Sequence, residues 1–511
     1  MKYIFKFMFH RIFFVILAML AQLFVLVSVL MKFYDYFAFF YVGSIILSIV
    51  VIFIILNNKS NPVYKIAWII LILLFPIFGG IFYIFFGANK LSKRERLRMK
   101  SIEDKTKEAL KPKPLILEEM KLHNEIAATQ SKYIQDYAYY PPYCNSTSEY
   151  LSIGEVKFEK LKEELRKAEH FIFLEYFIIE EGVMWNSILD ILKEKAKEGV
   201  DVRVIYDDAG CMFKLPYGYD KKLESMGIKC CIFNPFKPVL STRMNNRDHR
   251  KIAIIDGHTG FTGGINLADE YINEYEKFGH WKDTAIMVKG EAAWSMTVMF
   301  LSMWDYLKGI DEDFNKYRPK LPLSDEICKD GYIQPFADNP LDDEAVGEVV
   351  YLNLINKAKK YVYITTPYLI IDNEIITALT SAAKGGVDVR IITPYRGDKW
   401  YVHEVTRSYY RALIESGVRI FEYTPGFIHS KTFVVDDEYG VVGTINMDYR
   451  SLFLHFECGV WMYKCRSIYD IKEDFINTLK MCHEITIKDL DDVKWYKKLV
   501  RTVLRIFAPL M

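Results

Sequence analysis

A histidine and a lysine two residues apart can carry phosphoryl chemistry, because the imidazole serves as nucleophile or proton carrier while the ammonium holds an anionic oxygen. The pairing occurs twice here, at His249 with Lys251 and at His429 with Lys431, 180 residues apart. Asp256 and Asn266 follow the first pair at the spacing with which Asp436 and Asn446 follow the second, so His-x-Lys-x4-Asp-x6-Gly-x-x-Asn is repeated. A period this long implies two domain-sized lobes. One pair supplies a nucleophile or base with a charge clamp. Two pairs facing each other supply a nucleophile, a general acid and two cations for one phosphate.

Positioning these groups requires rigid elements. Ile252 to Ile255 and Thr432 to Val435 are short β-branched runs that end in Asp-Gly or Asp-Asp turn chemistry, which predicts buried strands. Alternate residues of a strand share a face, so each histidine points the same way as its lysine. The first lobe reads as a helix from Phe158 to His170, a strand from Phe171 to Glu175, a helix from Trp185 to Glu198 and a strand from Gly199 to Ile205. The order returns as a helix from Val346 to Lys360, a strand from Tyr361 to Ile364, a helix from Ile375 to Lys384 and a strand from Gly386 to Ile392. Alternating strands and helices predict an α/β fold with a mostly parallel sheet covered on both faces. The expected assembly packs the two lobes about a pseudo-twofold axis with both motifs in one cleft. Two independent sites are the competing arrangement, and each would lack either nucleophile or proton donor.

At these residues the sequence resembles the phospholipase D superfamily, and within it the bacterial cardiolipin synthases. The narrower likeness rests on Asn246 to Lys251, on Phe261 to Asn266 with Glu270 and Tyr271, on Trp281 to Thr284, and on Asn446 to Ser451 with Phe456 and Glu457. It covers the chain from about Ile66 to the C-terminus. The chain departs from the superfamily pattern where a serine follows the motif glycine: Gly264 stands there in the first copy and Thr444 in the second, so one side lacks a hydroxyl.

The catalytic set is expected to be His249, Lys251, Asp256, His429, Lys431 and Asp436. His249 attacks phosphorus, and His429 gives a proton to the departing alcohol and takes one from the incoming alcohol. The superfamily pattern implies attack from the first motif; the near-symmetry leaves the reverse assignment open. Lys251, Lys431, Asn266 and Asn446 are expected on the non-bridging oxygens. Asp256 and Asp436 lie past their strands and read physically as turn-ordering groups that back the lysines. Asp283 and Glu457 are the candidates for orienting the imidazoles, against a reading as plain surface carboxylates. Tyr271, Tyr275 and Phe278 are candidate lining of the acceptor cleft, against a reading as core aromatics. No metal and no cofactor is expected, since no acidic cluster has magnesium-site spacing. The resemblance implies phosphatidylglycerol as donor and acceptor, giving cardiolipin and glycerol. Water or another alcohol as acceptor, in a phospholipase D or a different phosphatidyltransferase, is the alternative.

Composition bounds the partners. Lys and Arg number 66 against 65 Asp and Glu, a balance that speaks against holding long nucleic acid by charge. The eight cysteines are scattered without Cys-x-x-Cys and read as buried thiols in a reducing compartment. Ile12 to Met31, Phe37 to Leu56 and Ile66 to Phe86 are each nearly free of charge and about twenty residues long, which predicts an all-α anchor of three membrane spans over residues 1–89. Lys90, Lys93, Arg94, Arg96, Arg98 and Lys100 follow the last span and favour a multi-pass membrane protein with its lobes facing the cytoplasm. Residues 90–150 read as a juxtamembrane linker, 151–335 and 336–488 as the two lobes, and 489–511 as an amphipathic C-terminal helix. That helix is expected either on the membrane surface or docked on the lobes with its basic face in water. The partners are phosphatidylglycerol and membrane lipid, with no nucleic acid.

Overall fold

The computed structural model describes residues 37–58, 61–76, 78–87, 93–235, 245–319, 330–342 and 344–510, with scattered positions before residue 37. The chain divides into two compact units. In the first, α1 (Phe37–Asn57) carries no charged residue, α2 (Pro62–Leu74) starts with the Asn61 side chain accepting from the Val63 N–H, and α3 (Gly79–Phe86) follows a break. The segment Ile66 to Phe86 is therefore not one continuous helix. Pro76 has no N–H to continue the helical ladder and its ring excludes the carbonyl four residues back, so the chain stops and restarts. Trp68, Ile72, Val51, Ile55 and Tyr83 form the small core. Among the described residues no helix is long and apolar enough to cross a membrane. The expected span from Ile12 to Met31 lies almost wholly outside them.

The second unit, Lys93–Phe233 with Arg247–Pro509, holds both lobes. Residues 93–133 are not a structureless linker. They form α4 (Lys93–Ala109), α5 (Pro114–His123) and α6 (Glu125–Tyr133). Lys105 pairs with Asp305 at 2.7 Å, Thr106 meets Ser302 at 2.9 Å, and the Ser131 hydroxyl donates to Gln334 at 2.7 Å. Lys105, one of the charges of the segment, is thus spent on a fixed partner in the first lobe, and Ser131 ties the segment to the second.

In chain order the first lobe contributes β1 (Ser146–Leu151), β2 (Phe171–Tyr176), β3 (Asp201–Asp207), β4 (Lys229–Phe233), β5 (Arg247–Asp248), β6 (Lys251–Ile255), β7 (Thr259–Gly263), β8 (His280–Lys282) and β9 (Ala285–Gly290). The second contributes β10 (Tyr332–Asp338), β11 (Tyr361–Thr365), β12 (Leu369–Ile370), β13 (Asp388–Pro394), β14 (Arg419–Tyr423), β15 (Gly426–Ile428), β16 (Thr432–Val435), β17 (Tyr439–Gly443), β18 (Met447–Asp448), β19 (His455–Tyr463) and β20 (Cys482–Glu484). The sheet orders are β1-β9-β7-β6-β2-β3-β4 and β10-β19-β17-β16-β11-β13-β14-β20, one topology used twice.

The sheets are mixed rather than mostly parallel. Along these orders β2-β3-β4 and β11-β13-β14 run parallel and the neighbours in the motif half of each sheet run antiparallel. The motif's own turn explains this. Asp256 and Gly257 have φ of 50° and 70°, and Asp436 and Asp437 have 56° and 62°, which sends β6 back as β7 and β16 back as β17 in tight hairpins. The predicted helices fill the parallel crossovers, and α7 (Ala293–Lys308), buried along most of its length, packs on the first sheet. Of the eight cysteines, the seven described are free, and five of those are buried.

Packed on α8 (Trp400–Ile414) is α9 (Trp495–Ile506), the last α-helix described. It turns its basic face to α8, the reverse of the docked arrangement expected from its sequence. Arg501 Nε donates to Glu404 at 2.6 Å, and the Arg505 guanidinium lies 4.3 Å from the Tyr409 ring centre.

Candidate active site

The two lobes meet through an exchange of short strands. In parallel register β5 pairs with β19, placing Arg247 beside His455 and Asp248 beside Phe456. Likewise β15 pairs with β8, placing Phe427 beside Trp281 and Ile428 beside Lys282. The next residue in each strand completes a backbone bond: the His249 N–H donates to the Phe456 carbonyl at 2.9 Å, and the His429 N–H to the Lys282 carbonyl at 2.7 Å. Each histidine is thereby set beside a carboxylate of the other lobe. His249 Nδ1 lies 2.9 and 3.1 Å from the two oxygens of Glu457, and His429 Nδ1 lies 2.6 Å from Asp283 Oδ2. Both carboxylates are wholly buried. With Nδ1 bound in each ring, Nε2 remains for chemistry. Asp283 and Glu457 are therefore not surface carboxylates, and each contacts the histidine on the opposite lobe.

Lys251 and Lys431 are buried beside the imidazoles, and each Nζ donates to the carbonyl of the histidine two residues earlier. Burial, weakly offset by Glu457 and Asp283, pulls Lys251 down to about 8. Burial pulls Lys431 down to about 7 against Asp283, with Lys251 pushing the same way as burial. Burial holds both imidazoles well below their ordinary range, and the two lysines add to it for each. Each histidine thus feels the lysine of the opposite motif, and His249 also feels His429. The groups of both motifs share one electrostatic environment.

The carboxylates are held differently. Glu457 accepts from the Thr444 hydroxyl and, at 2.7 Å, from the Ser451 hydroxyl. Asp283 accepts its neighbour's Thr284 N–H at 2.8 Å, and burial raises it to about 7. No hydroxyl fits at Gly264, because a Cβ there would stand 2.1 Å from Asp283 Oδ1. The departure from the superfamily pattern is thus a matter of space on one side and of a bound hydroxyl on the other.

Asn266 does not face the cleft with a free amide. Its oxygen accepts the Ile178 N–H at 3.0 Å and its nitrogen donates to the Tyr271 hydroxyl at 2.6 Å, with the Tyr271 ring 5.8 Å from that of His429. Asn446 is buried, and its oxygen has no partner among the described residues. Asp256 and Asp436 sit elsewhere. Five residues past the lysine at about 3.3 Å each puts them about 16 Å along the strand. There Asp256 accepts the backbone N–H of Glu169, His170 and Phe171, each at 2.8 Å. Asp436 accepts those of Lys359 at 2.6 Å and of Lys360 and Tyr361 at 2.8 Å. They clamp the start of β2 and β11, and neither has a bond to its lysine. Tyr275 donates to Glu270 at 3.1 Å, and Phe278 packs on Trp281 and Phe427.

Sequence reasoning missed Phe177 and His455. The Phe177 ring is 5.0 Å and the His455 ring 5.7 Å from that of His249. His455 was legible: two residues before Glu457 on one strand, it must share that carboxylate's face. His249, His455 and Glu457 offer ligand atoms within 4.8 Å of one another, and so do Glu348, Asp372 and Glu374. The first trio lies beside Lys251 and Lys431, an electrostatic setting that opposes a cation.

A family description, "Cardiolipin synthase, PLD-like domain", matches residues 161–304 and 351–479, and another, the phospholipase D-nuclease N-terminal region, matches 46–87. The chain is 45% identical over 462 residues to a Streptococcus mutans protein described as uncharacterized, covering 89% of this chain and 98% of the relative. It is 34% identical over 476 residues to the cardiolipin synthase of Halalkalibacterium halodurans, covering 92% and 93%. The phosphatidylserine synthase of Haemophilus influenzae Rd KW20 shares the fold, with a TM-score of 0.52 at 17% identity over 71% of this chain and 93% of that one. Fold and site define a two-lobed phospholipase D-like protein. The chain belongs to the cardiolipin synthase family within that class.

Proposed function

We propose that this protein is a phosphatidyltransferase that makes cardiolipin and glycerol from two molecules of phosphatidylglycerol. The observation that carries the reading is the crosswise bonding of each motif histidine to a carboxylate of the other lobe, which makes one site from two halves. His249, neutral and with Nδ1–H held by Glu457, attacks phosphorus through Nε2 and displaces the glycerol headgroup, leaving a phosphatidyl-histidine. His429 donates the proton that the departing glycerol oxygen needs, then takes one from the hydroxyl of the second phosphatidylglycerol as that oxygen attacks phosphorus and frees His249.

The carboxylates support this division of labour. Asp283, raised to about 7 and short of hydrogen-bond donors, keeps a proton within its pair with His429. Burial raises Glu457 as well, but the two hydroxyls bound to it work against that rise, which makes it the better permanent anion behind a nucleophile. Burial and the two lysines hold both rings neutral; the negative phosphodiester is the counter-charge that lets the His429 pair hold its second proton. Lys251 and Lys431 stabilise the non-bridging oxygens as charge builds. Asn446 offers its amide to the same oxygens, while Asn266 acts through Tyr271. Asp256 and Asp436 hold the lobes' frames and do not touch substrate.

The first unit is the membrane anchor in this reading, and the lobes face the cytoplasm. Uncharged α1 and the outward apolar side chains Phe39, Phe53, Leu73 and Leu74 support an apolar environment around it. Free, mostly buried thiols support a reducing compartment. The test is product analysis with the purified full chain in phosphatidylglycerol micelles. Cardiolipin and an equal amount of glycerol are expected; phosphatidic acid alone would replace the reading with a water-using phospholipase D.

A further inference from the structure

At 100° per residue, Trp495, Ile506, Leu499, Val503, Tyr496 and Val500 of α9 fall within an arc of about 140°. All six are exposed, Trp495 to 75% and Leu499 to 56%. The opposite arc carries Lys498, Arg501 and Arg505, with exposed Lys497 at its edge, and the helix has no acidic residue. Its basic side is the docked side. Besides the Arg501–Glu404 and Arg505–Tyr409 contacts, Lys498 Nζ donates to the Asp491 carbonyl at 3.0 Å. A helix on a water-soluble surface turns its apolar stripe inward. Here one ion pair, a cation–π contact and a backbone hydrogen bond hold the stripe outward, and six large side chains in one patch call for a cover.

We propose that this face seats the catalytic unit on an anionic phospholipid bilayer. Trp495 and Tyr496 would lie at headgroup level and the exposed Lys494 and Lys497 against lipid phosphates. Charge decides between a bilayer and a second copy of the chain. Two such faces brought together would oppose their own lysines, whereas anionic headgroups attract them. The inference rests on the proposed function, whose substrate is itself an anionic membrane lipid.

The test uses the full chain in phosphatidylglycerol nanodiscs with brominated acyl chains, taking the emission difference between the wild type and Trp495→Phe as the signal of Trp495. Bromine is expected to quench that signal at least about twofold, as for a ring at the acyl boundary. Leu499→Glu with Val503→Glu, both on the exposed face, should restore it. The same pair should lower cardiolipin formation on bilayers about tenfold and leave turnover in detergent micelles unchanged. Emission indifferent to bromine would overturn the proposal. If a second copy covers the face instead, that result would be joined by conversion of a dimer to a monomer in the double variant. Quenching does not depend on turnover. Quenching without cardiolipin would leave the docking in place and remove the enzymatic reading, and cardiolipin without quenching would do the opposite.

Discussion

The two halves of the site share a motif and differ in almost everything that surrounds it. His429 stands among Trp281, Phe427 and Tyr271, backed by an aspartate with one backbone donor. His249 stands beside Phe177 and a second imidazole, His455, backed by a glutamate with two hydroxyl donors. At the pseudo-equivalent positions two residues before each carboxylate, one half has Trp281 and the other His455. Duplication copied the reactive groups and the frame that aims them, and the neighbourhoods then diverged. Near-equal histidines can therefore take unequal roles, with the proton kept near the half whose carboxylate is less stabilised as an anion.

Substitutions can break that comparison. His249→Ala and His429→Ala are each expected to lower turnover by roughly 10^4-fold or more. They should part when the leaving group needs no proton: with a phosphatidyl p-nitrophenol substrate, His429→Ala should still release a one-equivalent burst of nitrophenol and His249→Ala none. Lys251→Met and Lys431→Met should each lose on the order of 10^2- to 10^3-fold in kcat, read in the same glycerol-release assay. Next come the groups behind the carboxylates. Gly264→Ser, which pushes Asp283 off His429, should slow turnover about 100-fold, and Thr444→Val, which removes one donor from Glu457, about 10-fold. Equal effects would argue that the halves are interchangeable.

Acidity sharpens the comparison further. The lysines act as cations and burial lowers their pKa values, so their charge is lost as pH rises through about 7 for Lys431 and about 8 for Lys251. The rate constant kcat/KM should therefore fall on the alkaline side across that window. Lys431→Arg, charged throughout, should move the limb upward. On the acid side His249 must stay neutral, and burial together with Lys251 and Lys431 holds its pKa well below 6.5, so that limb lies lower still. The smallest effect on chemistry is expected from Asp256→Ala. It should destabilise the fold by about 2–3 kcal/mol in a denaturant titration, since three backbone donors lose a charged acceptor, and leave kcat per folded molecule unchanged.

Repetition at fixed spacing made His249, Lys251, His429 and Lys431 legible as a set, whereas Asp283 and Glu457, which lie outside the repeat, were legible only through the need of an imidazole for an acceptor on its second nitrogen. The crosswise bonding was not legible, because it depends on β5 and β15 each crossing to the other lobe, and a two- or three-residue strand leaves no periodic trace. The parallel sheet was misjudged because β-branched runs do not reveal strand direction. The hairpin signal was present in Asp256-Gly257 and Asp436-Asp437, residues that also drew attention as motif members. Charge followed by Tyr and Pro marks residues 90–150 as a linker, and does not tell that charges such as Lys105 are bound in the fold. The same periodicity identified α9 as amphipathic without telling which face the protein would claim.

Whether two lobes act on one phosphorus is tested most directly by mass spectrometry of the acid-labile adduct trapped from His429→Ala with the nitrophenyl substrate. One phosphatidyl group per chain, carried on His249, is the predicted result. A label on another residue, or two labels on one chain, would contradict it.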